Sequence, residues 1–257
     1  MAIQPWELML MTEFTCKLAG KVVAVQALHP STRSYCAQYL CDEKADFSVS
    51  ISQQCIELER QIAAREDQME GLPVRQLPDL MLELTAVQRK ITENLIEYDT
   101  LLFHGSVVAV DGQAYLFTAK SGTGKSTHTR LWREVFGQRA VMVNDDKPFL
   151  RLTDRGVLVC GSPWMGKHGL GGNIQLPLKA ICVLERGEEN RIRSITPQEV
   201  LPMLFQQSQR PAQPRLLPRY MALVDRLAAG VNFYRMQCNM DPQAAQVAYS
   251  AMSGAGE

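Results

Sequence analysis

The stretch Ala119-Lys-Ser-Gly-Thr-Gly-Lys-Ser-Thr127 decides how this chain is read. It follows an apolar run, Ala114 to Phe117, and leads into Ser126 to Val135, whose spacing predicts a helix stopped at Gly137. A strand, a glycine-rich turn and a helix in that order gather backbone N–H groups at the positive end of a helix, where they hold an anion. Gly122 and Gly124 let successive N–H groups turn toward that anion. Lys125 stands where an ammonium reaches the β- and γ-phosphates, and Ser126 offers a hydroxyl to Mg²⁺. Ser121, Thr123 and Thr127 complete the cradle, so ATP and Mg²⁺ are the expected cofactors. Ala119 replaces the leading Gly of the Walker A pattern, which predicts a slightly different turn at the loop entrance.

Upstream, Val107 to Val110 and Ala114 to Phe117 flank Asp111-Gly112, a strong two-residue hairpin signal. Downstream, Ala140 to Val143 reads as a short buried strand that delivers Asn144-Asp-Asp146. A hydroxyl nucleophile needs a proton acceptor, and Mg²⁺ needs a carboxylate in its shell. Asp145 is the candidate for the metal side together with Ser126, and Asp146 for the general base; the two roles are exchangeable at a twisted strand end. His104-Gly105 precedes the hairpin and can approach the same site. The expected catalytic set is therefore Asp146, Asp145, His104 and Lys125.

The remaining sequence bounds the organisation. With 257 residues, 46% of them hydrophobic, the chain can bury one large core or two unequal ones. The stretch Met1 to Leu72 alternates apolar and polar residues in short runs such as Lys21 to Val25, and its charged end, Glu57 to Gly71, precedes Pro73 and Pro78. A small α+β unit over 1–72 and a larger one over 73–257 are expected. The larger unit should open with a helix behind Asp79 as N-cap and carry a hairpin around Asp154-Arg-Gly156. A buried strand is expected over Leu178 to Leu184, then helices at Pro197 to Gln207, Arg215 to Ala229 and Pro242 to Met252. The 27 Lys and Arg balance the 27 Asp and Glu, so no net field favours nucleic acid or an anionic membrane. Seven scattered cysteines fit a reducing compartment, and Cys36 and Cys41 lack a second pair at zinc-finger spacing. No basic stretch leads into an apolar run at the N-terminus, and no apolar segment approaches the roughly 20 residues that span a bilayer, so the cytoplasm is the expected compartment.

His104-Gly105, Ser121-Gly-Thr-Gly-Lys-Ser126 and Asp145-Asp146, in that order, resemble the motifs of the bacterial HPr kinase/phosphorylase group and the related phosphoenolpyruvate carboxykinases. Ser121 to Trp132 and Cys238-Asn-Met-Asp-Pro242 are similar still more closely to the stand-alone HPr-kinase-like proteins of Gram-positive bacteria. The resemblance implies a PEPCK-like α/β fold, with a mixed sheet and flanking helices around the phosphate loop. It also implies His104 near the phosphates, transfer to a hydroxyl assisted by the Asp pair, and association into a homo-oligomer. Thr127 and Lys147 depart from the Glu and Arg of true HPr kinases. Gly161 to Asn173 replaces their hallmark segment, and the chain is about half a carboxykinase in length.

That segment is the candidate acceptor-binding or lid loop: its glycines permit movement, Lys167 and His168 can meet an anionic group, Trp164 offers a flat apolar face, and Asn173 closes it. Arg191, Arg193 and Arg210 are candidates for the γ-phosphate. The expected activity is an ATP-dependent phosphotransfer to an alcohol group of a protein, peptide or small metabolite. The alternatives are a nucleotide sensor or adaptor without transfer, and a phosphorylase or phosphatase running in reverse.

Overall fold

The structure, a computed structural model, describes residues 11–120 and 122–254. Its two compact units divide between Asn94 and Leu95. In the first, β1 (Thr12–Leu18) and β2 (Lys21–Ala27) pair antiparallel, and after α1 (Pro30–Tyr35) the short β3 (Phe47–Ser50) adds parallel to β2. Two helices follow, α2 (Gln53–Met69) and α3 (Asp79–Ile96).

The charged segment expected to mark a boundary is thus most of α2. Its charges are not all solvated, because Glu59 and Asp67 are buried and each is neutralised. Arg89 of α3 binds Glu59 through Nε and Nη2 at 2.5 and 2.9 Å, and Arg75 binds Asp67 at 2.8 Å. Asp79 is the first residue of α3, and its carboxylate takes Arg60 at 2.5 Å. Buried Glu83 accepts from the N–H groups of Leu28 and His29 at 2.9 and 3.2 Å and from the Thr32 hydroxyl. These bonds carry the first compact unit past Leu72, where the sequence suggested its end, through Asn94.

The second unit contains β4 (Thr100–Leu102), β5 (Ser106–Val110), β6 (Gln113–Thr118), α4 (Lys125–Phe136), β7 (Ala140–Asn144), β8 (Phe149–Thr153), β9 (Gly156–Cys160), β10 (Gln175–Arg186), β11 (Arg191–Ile195), α5 (Pro197–Gln207), α6 (Leu217–Gly230), β12 (Asn232–Cys238) and α7 (Gln243–Ser253). Among the described residues nine strands join in one curled, mixed sheet. The long β10 makes this possible: its first residues pair antiparallel with β9, and its later ones run parallel between β6 and β12. The β5–β6 hairpin turns at Asp111-Gly112, with φ of 52° and 78°, as its sequence predicts.

Side chains alternate across this sheet, and both faces are covered. Val107, Ala109, Leu116 and Ile181 face one core with Val200 and Leu204 of α5 and Leu223, Val224 and Leu227 of α6. Val108, Val110, Phe117 and Cys182 face the other with Leu131 and Trp132 of α4 and Ala244, Ala245 and Ala248 of α7. Such two-sided burial explains why β5 reads as an unbroken apolar run. Helix α5 opens on a full capping box between Thr196 and Glu199, with Pro197 in its first turn. The sheet therefore holds the end of β6, the start of α4 and the end of β7 at one edge of the unit, and the chemistry-bearing residues come from those ends.

Candidate active site

The phosphate-loop sequence is seated where β6 hands over to α4. Gly122 and Gly124 take φ of 75° and 119°, left-handed values closed to most side chains, and Gly124 is the N-cap of α4. The first turn of α4, which opens with Lys125, leaves N–H groups without intrahelical partners, directed out of the helix end. Lys125 Nζ rests 3.3 Å from the Ala119 carbonyl. Burial lowers the pKa of its ammonium, while the charges of Asp146 and Asp145 pull the other way. A half-buried cation of this kind gains from meeting an anion. Ser121 lies outside the described residues.

Two carboxylates arrive from the end of β7. Asp145 is 4% exposed, and its Oδ1 accepts from Ser106 Oγ at 2.7 Å. Thr129 Oγ1 of α4 lies 2.9 Å from the same hydroxyl. With the Ser106 proton committed to the carboxylate, Thr129 is the donor, so Asp145 is tied to the helix that begins at Lys125. Asp146 is more open, and His104 Nε2 stands 3.3 Å from its Oδ1. Burial pushes the Asp146 carboxyl up, but the His104 bond and the charges of Lys147, His104 and Lys125 outweigh it and hold the group below its ordinary value. His104 is itself fixed through its backbone: its N–H donates to Gln207 O at 2.7 Å, its carbonyl accepts from Thr118 Oγ1 at 2.9 Å, and the next N–H, of Gly105, donates to Asp146 O at 2.9 Å.

Removing the imidazole in His104→Ala takes away the main influence that lowers the Asp146 pKa. The acid limb of any Asp146-dependent rate should then move to higher pH, read from kcat/KM between pH 4 and 8; an unmoved limb would mean that the carboxylate does not carry the rate.

His104, Gly122, Gly124, Lys125, Ser126, Thr127, Asp145 and Asp146 line one cleft of about 710 Å³. Asp145 and Ser126 face it together and suit Mg²⁺, which takes one or two carboxylates and completes its shell with water and phosphate oxygens. No cluster of three or more His, Cys, Asp or Glu occurs among the described residues, and Mg²⁺ does not call for one.

No family model matches this chain, and no curated protein does. Among solved structures, the HPr(Ser) kinase/phosphatase from Coxiella burnetii aligns over 61% of this chain and 99% of its own, at 10% sequence identity and a TM-score of 0.36.

The far wall of the cleft comes from the glycine-rich loop after β9, through Met165, Gly166, Lys167 and His168. It passes so close to the paired carboxylates that a Cβ at Gly166 would sit 3.3 Å from Asp145 Oδ2 and 3.6 Å from Asp146 Cβ. Trp164 is placed differently from the sequence expectation. It is 6% exposed and stands edge-on to Phe149, so its ring packs into the unit instead of offering a face to a ligand. Asn173 is exposed and is not among the residues lining the cleft, and Thr123 lines a neighbouring groove. The arginine candidates also lie elsewhere. Arg191 pairs with Glu189, Arg193 pairs with Glu199 at 2.9 Å, and neither they nor Arg210 lines the cleft. Arg186 at the end of β10, unremarked in the sequence, donates to the Gly122 carbonyl at 2.6 Å.

Asn144, read in the sequence only as the residue ahead of the Asp pair, has a structural role that sequence reasoning passed over. It is fully buried, and its Oδ1 accepts from the N–H groups of Asp146 and Lys147 at 2.9 and 2.7 Å. Its Nδ2 donates to Ser162 O and Oγ at 3.0 and 3.1 Å, and Ser162 Oγ donates back to Lys147 O at 2.6 Å. This bracket bends the chain between the two carboxylates. An Asn ahead of a turn is a recognised signal for such bonding, whereas its partner Ser162 is too distant in sequence to be foreseen. Asn144→Ala leaves two part-buried N–H groups without their acceptor and should cost about 1 kcal/mol of stability, measured by urea unfolding. Turnover should fall more than nucleotide affinity, because Asp146 shifts while the loop stays in place.

Proposed function

We propose that this chain is an ATP- and Mg²⁺-dependent kinase that transfers the γ-phosphate to a hydroxyl acceptor. The observation that carries this reading is the sharing of one cleft by the N-terminus of α4, Lys125 and an ionised Asp146. In such a site, the loop N–H groups and Lys125 hold the triphosphate of the substrate ATP and offset its charge. Asp146 accepts the proton of the acceptor hydroxyl as its oxygen bonds to the γ-phosphorus, and the bond to ADP breaks on the opposite side. Asp145 and Ser126 would hold Mg²⁺, which neutralises charge on the phosphate oxygens. His104 orients Asp146 and keeps it charged. Met165 to His168 form the side from which the acceptor approaches, and Lys167 and His168 suit an acceptor bearing an anionic group next to its hydroxyl.

The test follows labelled γ-phosphate from MgATP into cell extract divided into small-molecule and macromolecular fractions. Protein-dependent label in one fraction is the expected outcome and identifies the acceptor class; tight ATP binding with no label in either would replace the kinase by a nucleotide sensor.

A further inference from the structure

A second groove, of about 480 Å³, borders the outer side of the phosphate loop. Gly122, Gly124 and Thr127 line both it and the catalytic cleft, so the two hollows meet across the loop. Beyond that seam the groove is walled by Leu131 of α4, Arg186 at the end of β10, and Cys238, Asn239 and Met240 after β12. Its size is within the range of ordinary small-ligand sites. A triphosphate crossing the loop with its terminal phosphate beside Lys125 and the Asp pair would carry its nucleoside into this groove. Arg186, bonded to Gly122 O, places a positive charge at the crossing.

The polar groups of the groove are largely spent on the protein itself. Asn239 Oδ1 accepts from Asn190 Nδ2 and from the Asp241 N–H, and its Nδ2 donates to Glu188 O. The Asn239 N–H donates to Asn190 Oδ1, the Gly187 N–H to Cys238 O, and Cys238 Sγ to Glu185 O. Enzymes that discriminate strongly between similar ligands do so with polar groups that are left unpaired by the wrong one. Here the groups of the far wall are already satisfied, Thr123, Thr127 and Arg186 lie along the loop where the phosphates would cross, and Leu131 is only 2% exposed; what remains for a base is Met240, 77% exposed and free to close over a flat ring. His128 adds one further feature. Its Nε2 accepts from Trp132 Nε1 at 3.1 Å, which leaves the hydrogen on Nδ1, and that buried atom has no partner. Closed off from solvent, it gives the groove no donor with which to read a base edge.

We infer that this groove is the nucleoside subsite of the nucleotide site and that it binds adenine and guanine nucleotides with comparable affinity, holding the base by packing instead of reading its edge. The inference rests on the kinase reading, since it needs a triphosphate on the loop.

The experiment titrates the full chain, with Mg²⁺ present, against ATP, GTP and inorganic tripolyphosphate, and repeats the series with Met240→Ala, a change at an exposed position. ATP and GTP should bind within about fivefold of each other, and both at least tenfold more tightly than tripolyphosphate. Met240→Ala should weaken both nucleotides about fivefold and leave tripolyphosphate unchanged. Tripolyphosphate binding as tightly as ATP, nucleotide affinities untouched by Met240→Ala, or a preference for one purine beyond fivefold would each overturn the inference while leaving the loop intact. Failure of all three ligands to bind would remove the kinase reading as well.

Discussion

Asp146→Asn is expected to lower kcat by about 10²–10⁴-fold, the usual worth of a positioned general base, while MgATP affinity stays within about twofold of the wild type. The substitution preserves shape. Its backbone N–H still bonds Asn144 Oδ1, its carbonyl still accepts from Gly105, and an amide oxygen can still accept from His104. What it cannot do is take a proton. Because the Asp146 carboxyl is held below its ordinary value of 3.8, the proposed transfer should keep its rate through neutral pH and lose it only in acid. The sign for stability is the same: a carboxyl with a lowered folded pKa contributes stability above its unfolded pKa and loses it as pH falls through the folded one. Near-normal turnover in Asp146→Asn would transfer the base role to Asp145, which the Ser106 and Thr129 bonds make the more rigid of the two.

Lys125→Ala should be costly in a different way. The ammonium is half-buried and faces both carboxylates, so its removal takes away one of the positive charges that offset Asp145 and Asp146, beside the place where further negative charge must bind. Nucleotide binding should weaken at least tenfold, and transfer should fall by about 10²–10³-fold beyond that, comparable to deleting one donor to a developing oxyanion. Saturation kinetics separate the two effects. A loss confined to KM would mean that Lys125 binds ground and transition states alike.

Local signals made much of this legible. The glycines before α4, the Asp111-Gly112 hairpin, the apolar run ending in Asn144-Asp-Asp146 and the helices at Pro197 and Pro242 each announce themselves within a few residues. The elements missed from the second unit lack that. β11 carries Arg191 and Arg193 outward, and β12 buries Phe233 and Met236, three residues apart and on opposite faces, so neither shows a clear alternation and neither reads as a strand until β10 and β12 supply the pairing. α2 was obscured by its charge, because nothing in Glu59 or Asp67 reveals that Arg89 and Arg75 will cover them. At the site, the residues that face the cleft could be named from motif chemistry, while those that hold them could not. Ser106 and Thr129 meet only because β5 and α4 pack together, and Trp164 turns inward only because Phe149 is there to receive it.

The central claim is a Mg²⁺-nucleotide site assembled by the loop, Lys125 and Asp145, and calorimetric titration of the chain with ATP, with and without Mg²⁺, tests it most directly. One site per chain is predicted, tightened by Mg²⁺ in the wild type, insensitive to Mg²⁺ in Asp145→Asn and much weakened in Lys125→Ala. ATP affinity indifferent to Mg²⁺ and to both substitutions would contradict it.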